Sequence, residues 1–144
     1  MTVQLEHANL AVENIDEMIR FLTTAFPEFR VRHEAVNTDG LRWVHIGTDD
    51  TYLALNEGVA ESEEGFTPYS GKVGVNHLAY VVDDVDALRK RLREAGYRDS
   101  TVPNAHPHRK RAYFYDSEGN DWEFVEYLSD APEQRNDYAI PDAT

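Results

Sequence analysis

The chain has no cysteine among its 144 residues, which excludes disulfides, thiolate metal ligands and a cysteine nucleophile. It also lacks any apolar run near the ~20 residues that a membrane-spanning helix needs. Its beginning does not show the basic and then apolar segments of a signal peptide. We therefore expect a soluble, cytoplasmic protein in which any metal site is built from imidazole and oxygen ligands.

Basic residues are scarce. The chain has 14 Lys and Arg against 27 Asp and Glu, a formal net charge of −13, and Arg109-Lys110-Arg111 is a short basic run. Nucleic acids and anionic membranes are bound mainly by neutralising phosphates, so neither is predicted as a partner. The acid excess indicates a solvated surface. A small molecule is the expected partner, and 41% hydrophobic residues suffice for a packed core.

One sequence pattern occurs twice at an offset of 70 residues. Residues 6–16 read EHANLAVENID, and residues 76–86 read NHLAYVVDDVD. Carried on without a gap, the offset aligns residues 43–45 with 113–115 and Leu53 with Glu123. Two copies are too few for a solenoid. The repeat instead predicts a pseudo-twofold pair of modules with a site between them.

Each copy has the pattern of a βαβββ module. In the first, alternating residues 4–12 predict a strand, and Asn14 with Glu17 resembles the capping box of a helix that ends before Pro27. Asp39-Gly40 predicts a hairpin turn. The remaining strands are predicted near 29–36, 41–47 and 51–56.

The second copy repeats this order. Asp84 is the predicted N-cap of its helix and Gly96 its C-terminal stop. The strands are predicted near 75–82, 97–102, 111–115 and 121–127. Residues 1–144 are thus predicted to form a single α+β domain, with module 1 at 3–56, a linker at 57–74, module 2 at 75–128 and an irregular tail at 129–144.

Strand periodicity predicts which side chains face away from the helices. In the first strand Ala8, Leu10 and Val12 should pack on the helix, which leaves His7 on the opposite face. The residues predicted on such free faces are His7, Trp43, His45, His77, Tyr113, Tyr115 and Glu123. This set is too polar for a core. If the sheets curve around a common space with the helices outside, these residues line a cup.

Two imidazoles and one carboxylate on adjoining strands suit one divalent metal ion, and Fe²⁺, Mn²⁺, Zn²⁺, Ni²⁺ and Co²⁺ all accept such ligands. His7, His77 and Glu123 are the predicted ligands. Trp43, His45 and Tyr115, together with Leu53, are predicted to contact the substrate.

From Leu5 to Leu128 the chain resembles the vicinal oxygen chelate superfamily, the group of glyoxalases, bleomycin-resistance proteins and dioxygenases. The resemblance depends on His7 with Val12 and Asp16, on His77 with Val82 and Asp86, and on residues 111–126. It implies paired βαβββ modules in a mixed curved sheet, ligands at His7, His77 and Glu123, and a homodimer.

Glyoxalase-type isomerases of this superfamily use a fourth protein ligand, and Leu53 stands at the aligned position. A three-ligand site with open positions for substrate and oxygen is therefore expected. Whether the modules pair within one chain or swap between two stays open.

A narrower resemblance is to the extradiol ring-cleaving dioxygenases. It lies in Asn104-Ala105-His106 followed by Tyr113, Asp116, Gly119 and Glu123, with departures at Ala112 and Ser117. It implies that Tyr113 and His106, or else His108, are catalytic residues that move protons and orient substrate. The alternatives are that Tyr113 only packs and His106 lies in an exposed loop. A glyoxalase-type lyase or isomerase, thiol transfer and a metal-free bleomycin-resistance-like binding protein also stay open.

Overall fold

The computed structural model describes residues 3–59 and 67–139. The chain divides into two units, Met1–Gly65 and Phe66–Thr144, each with its own four-stranded sheet. The boundary falls inside the predicted linker. Residues 60–66 of that linker and 140–144 of the predicted tail lie outside the described residues.

Unit 1 is a βαβββ module. Its elements are β1 (His7–Val12), α1 (Ile15–Ala25), β2 (Arg30–Val36), β3 (Arg42–Gly47) and β4 (Tyr52–Glu57). The strand order is β1-β4-β3-β2, in which β1 and β4 are parallel and the other pairs antiparallel. The chain must cross over α1 and return through the β2–β3 hairpin before β4 can lie beside β1.

Unit 2 repeats this topology. Its elements are β5 (His77–Val81), α2 (Val85–Glu94), β6 (Arg98–Asp99), β7 (Arg109–Tyr115), β8 (Asp121–Tyr127) and the short α3 (Pro132–Arg135). The order is β5-β8-β7-β6, with β5 and β8 parallel. The predicted α+β fold of paired βαβββ modules with mixed sheets is confirmed. Among the described residues, no helix is long and apolar enough to cross a membrane.

Both long helices begin and end where the sequence predicts. The Asn14 side chain accepts the Glu17 N–H at 3.1 Å, and the Asp84 side chain accepts the Ala87 N–H at 2.9 Å. Gly96 follows α2 with φ +89°, a backbone conformation that glycine adopts without steric cost. These caps fix the helices against the sheet faces that carry the core.

The buried sides of the sheets form the cores. In unit 1, Val44, Ile46 and Leu55 are fully buried. In unit 2, Phe114 and Phe124 are fully buried, as is Trp122, whose indole N–H donates to Asp116 at 2.8 Å. Burying each large apolar side chain stabilises the fold by roughly 1.5–3 kcal/mol. The opposite sheet faces are thereby left to the polar and aromatic side chains.

The gapless offset of 70 residues holds through the first strand and the helix caps Asn14 and Asp84, but it is wrong at the last strand of each module. Asn9 and Ala79 are equivalent in the two copies, and they pair with Ala54 and Glu123 respectively. The residue that corresponds to Glu123 is therefore Ala54, which is one position after Leu53. Because strand side chains alternate, this shift moves Leu53 to the helix-facing side, where it is 1% exposed. The prediction that Leu53 contacts substrate is wrong for this reason.

Two further expectations need correction. The strand predicted at 97–102 is shorter and consists of Arg98–Asp99. Side chains replace the strand pairing beyond it, because the Asp99 carboxylate accepts a hydrogen bond from the Thr101 N–H at 2.9 Å and the Thr101 hydroxyl accepts one from the Tyr113 N–H at 2.9 Å. The tail predicted as irregular contains α3, which has proline at its start. Backbone carbonyls of this tail accept hydrogen bonds from the Arg109 guanidinium.

Candidate functional site

A pocket of about 440 Å³ lies on unit 2 and includes part of the sheet face that α2 does not cover. The residues that line it are Tyr69, His77, Ser100, Val102, Tyr113, Tyr115 and Asp121. Its polar atoms are mainly phenol, imidazole and carboxylate groups. Three of the residues predicted for the site, His77, Tyr113 and Tyr115, are thus brought together.

His77 lines this pocket and contacts Glu123 on the neighbouring strand. Their strands are parallel neighbours, and His77 Nε2 lies 2.9 Å from Glu123 Oε2. Metal–ligand bonds of about 2.1 Å at a right angle would separate two donor atoms by about 3 Å, which is close to this distance. The pair therefore fits two adjacent positions around one divalent ion.

Tyr113 stands beside this pair. It is directly opposite Glu123 in the β7–β8 ladder, hydrogen-bonds the Glu123 side chain, and its ring meets the His77 ring edge-on at 5.9 Å. Burial, and then the charge of Glu123, raises the pKa of Tyr113 to about 12. The phenol therefore stays protonated near neutral pH, where it can donate a hydrogen bond.

Tyr69 and Asp121 complete the surroundings of His77, and neither is predicted from the sequence. The Tyr69 hydroxyl donates to Asp121 Oδ2 at 2.7 Å and lies 3.0 Å from His77 Nδ1. Ser100 donates to the other oxygen of Asp121 at 2.8 Å. Asp121 could have been predicted as a neighbour of His77, because it lies opposite His77 in the β5–β8 ladder. Tyr69 lies in the segment predicted as linker, and no feature of the sequence indicates its contact with His77.

On unit 1, the free sheet face carries a row of rings. His7 stacks on Tyr52 at 4.8 Å and 11°, His45 follows at 4.5 Å from Tyr52, and Trp43 lies 5.1 Å from His45. His33 continues the row 5.1 Å beyond Trp43. The predicted residues His7, Trp43 and His45 therefore share one surface. Tyr52 and His33, which the sequence does not predict for the site, belong to it too.

Charges along this row act on His45. Burial lowers the pKa of His45, and the neighbouring His33 and Arg32 lower it further. The Arg32 guanidinium lies over the Tyr52 ring at 4.4 Å from the ring centre. These effects favour the neutral form of His45, which is the form that a metal ligand or hydrogen-bond acceptor needs.

The remaining predicted ligand, His7, contacts Glu6 through its Nδ1 atom at 2.9 Å. The Nε2 atom on the other side of the ring is the nitrogen that a metal would use, as at His77. A hydrogen-bonded Nδ1 is the usual arrangement behind an imidazole ligand. Within the described residues of each unit, no group of three His, Asp or Glu side chains could hold a metal ion. A joint site of His7, His77 and Glu123 stays a prediction.

The structure separates His106 from the His77 pocket. His106 is 8% exposed and lines a different pocket of about 610 Å³ beside α2, together with Arg89 and Lys110. Its Nδ1 accepts the His108 N–H at 3.1 Å, and the rings of the two histidines contact each other. His106 is therefore not the exposed loop residue of the alternative interpretation. It also does not lie in the pocket where the extradiol resemblance requires it.

Two βαβββ units that present histidine, glutamate and phenol side chains on their free sheet faces define the class of protein. Residues 4–124 match the family model of the Glyoxalase/Bleomycin resistance protein/Dioxygenase superfamily, and the chain belongs to that superfamily. The comparison with curated proteins gives no match.

Solved structures share the fold. The fosfomycin resistance protein FosX from Listeria monocytogenes superposes with a TM-score of 0.70 at 19% identity, covering 94% of this chain and 99% of its own. FosX from Mesorhizobium loti gives 0.65 at 22% identity, covering 95% and 100%. A glyoxylase/bleomycin resistance protein/dioxygenase domain from Frankia sp. EAN1pec gives 0.70 at 20% identity, covering 88% and 99%.

Proposed function

We propose that this protein is a metal-dependent enzyme that acts on a small substrate with oxygen atoms on neighbouring carbons. The observation that carries the proposal is the approach of His77 Nε2 to Glu123 Oε2, 2.9 Å apart beside the pocket on unit 2. The proposed third ligand is His7, from the same chain or from a second one. Such a site leaves coordination positions open for substrate.

The residues around the pair support this chemistry. A divalent ion bound there would supply a Lewis acid for the substrate oxygens. The single O–H of the protonated Tyr113 phenol is directed to Glu123 here; with Glu123 on the ion, it could turn to donate to a substrate oxygen on which negative charge develops. A pocket of about 440 Å³ is within the usual range for a small molecule.

Relatives with the same fold support the metal and the substrate class. Structures of the Listeria FosX contain Mn(II) with sulfate, and Mn(II) with 1S,2S-dihydroxypropylphosphonic acid. The latter compound carries hydroxyl groups on adjacent carbons. We take Mn²⁺ as the first ion to test, without excluding Fe²⁺, Zn²⁺, Ni²⁺ or Co²⁺.

Within this class, non-oxidative chemistry is favoured. Extradiol dioxygenation loses support because His106 lines a different pocket from His77, and His108 is not among the residues that line the His77 pocket either. A four-ligand isomerase loses support because Ala54, at the position equivalent to Glu123, has no atom that binds metal.

The proposal includes a homodimer, as the family resemblance implies. Sedimentation equilibrium at micromolar concentration should give twice the chain mass of 16.5 kDa. A mass that stays at the monomer value over the whole concentration range would contradict this part.

A metal-free binding protein is the second candidate. The row of contacting rings from His7 to Trp43 favours it, because such an aromatic surface can hold a planar ligand without a metal ion. This candidate predicts that removing Glu123 leaves ligand binding unchanged.

Calorimetric titration with Mn²⁺ tests the proposal. Wild type should bind one ion, and Glu123→Gln and His77→Ala should each lower the affinity by at least ~100-fold, because the remaining ligands form a poor chelate. Glu133→Gln on exposed α3 is the matched control and should bind as wild type does. Equal affinities in all four proteins, or none in wild type, would contradict the proposal.

A further inference from the structure

Behind the His77–Glu123 pair lies a short chain of hydrogen bonds. Glu123 Oε2 is 2.9 Å from His77 Nε2, His77 Nδ1 is 3.0 Å from the Tyr69 hydroxyl, and that hydroxyl is 2.7 Å from Asp121 Oδ2. Both ring nitrogens of His77 are thus engaged, Nε2 by Glu123 and Nδ1 by Tyr69.

The number of protons available determines which atom donates and which accepts in each of these hydrogen bonds. A phenol has one O–H, and an ionised carboxylate can only accept, so the Tyr69 proton points to Asp121. The Tyr69 oxygen then accepts the proton on His77 Nδ1. Glu123 is likewise a carboxylate that can only accept, so the 2.9 Å contact with His77 Nε2 needs a proton between the two atoms as long as no metal is bound, and a divalent ion bound to both would take the place of this proton. With a metal on Nε2, the proton that stays on Nδ1 donates to the Tyr69 oxygen, and this hydrogen bond supports the tautomer that binds a metal through Nε2.

The backbone around Tyr69 is arranged to hold this contact. Tyr69 has φ +63°, which is uncommon for a bulky side chain and strains the backbone. Its N–H donates to the Asn76 side chain at 3.0 Å, just before His77. Asp121 is 4% exposed and is held by Ser100. A strained residue anchored on both sides is typical of a segment whose side chain has a fixed task.

We propose that Tyr69 and Asp121 are positioning residues that fix the tautomer and orientation of His77 as a metal ligand. This inference rests on the proposed function. It assigns a role to Tyr69, which lies before β5 and which no sequence pattern indicates as functional. Removing such a partner of a metal-binding histidine typically weakens metal binding by ~10–100-fold.

Mn²⁺ affinities of three variants test the inference. Tyr69→Phe should bind ~10–100-fold more weakly than wild type, because it removes only the hydroxyl that holds Nδ1. Asp121→Asn should weaken binding in the same direction but less, since its amide oxygen can still accept from Tyr69. Tyr138→Phe, which makes the same change at a side chain that is 75% exposed, should bind as wild type does. Circular dichroism confirms that each variant is folded.

A second readout separates positioning from a general structural role. In the Zn²⁺-loaded, ¹⁵N-labelled protein, His77 should show an Nδ1–H proton protected from exchange with water. Tyr69→Phe should lose this protected resonance, and Tyr138→Phe should keep it. A merely destabilised fold would broaden many resonances instead of this one.

The outcomes distinguish the inference from the proposed function. If His77→Ala loses the metal while Tyr69→Phe binds as tightly as Tyr138→Phe, the inference fails and the metal centre stands. If His77→Ala binds Mn²⁺ as wild type does, both fail. Weakened binding together with loss of the protected Nδ1–H in Tyr69→Phe supports the inference.

Discussion

Leu53→Ala distinguishes a core position from a site position. The side chain is 1% exposed and lies on the helix-facing side of β4, paired with Ala8 and Ile46. Removing a leucine side chain from such a place loses its transfer free energy and leaves a cavity, and together these destabilise proteins by roughly 2–5 kcal/mol. For a chain of this size, a loss of about 3 kcal/mol lowers Tm by about 6–12 °C.

Thermal and denaturant unfolding of the wild type, Leu53→Ala and Leu5→Ala measure this effect. Leu5 is 75% exposed, so the same substitution there should change the unfolding free energy by no more than ~0.5 kcal/mol. Mn²⁺ affinity should be unchanged in both variants. If Leu53→Ala unfolds like wild type but binds metal or ligand poorly, the pairing of Leu53 with Ala8 and Ile46 is wrong and the gapless alignment is right.

Two further predictions concern unit 2. Burial alone would raise the pKa of Asp99, but hydrogen bonds from Thr101 and Arg89 outweigh it and lower the pKa to about 2. Because the folded pKa is below the unfolded value, this stabilisation is full above pH ~4 and is lost as pH falls towards 2. Asp99→Asn should therefore lower the free energy of unfolding by about 1–2 kcal/mol at pH 7, measured by urea unfolding. A difference between wild type and Asp99→Asn that stays constant from pH 7 to pH 2 would contradict this prediction. The proposed function predicts that the Mn²⁺-loaded protein binds small vicinal diols and that Tyr113→Phe weakens this binding about fivefold, the value of one hydrogen bond near 1 kcal/mol; equal calorimetric affinities would refute the donor role.

Local features of the sequence are sufficient to predict most of the fold. Asn14, Asp84 and Gly96 are capping residues whose chemistry is local, so the helix limits can be predicted from the sequence. The alternation in β1 and β8 likewise gives the faces correctly. The internal repeat then supplies the topology, because two copies of one pattern must form the same unit.

Register and loop contacts depend on the folded backbone. A one-residue shift between β4 and β8 moves Leu53 from the free face to the core, and no sequence period reveals that shift. Tyr69 reaches His77 only because its segment folds back with a positive φ, at the end of a stretch whose composition predicts a linker. His106 is predicted for the site by resemblance alone, and its loop places it in a separate pocket.

The proposed metal centre is tested most directly by anomalous diffraction from crystals grown with Mn²⁺. We predict one manganese peak, with His77 Nε2 and a carboxylate oxygen of Glu123 at about 2.0–2.3 Å and with His7 Nε2, from the same or a second chain, as the third protein ligand. A manganese peak elsewhere, or no peak beside His77 and Glu123 at saturating Mn²⁺, would contradict it.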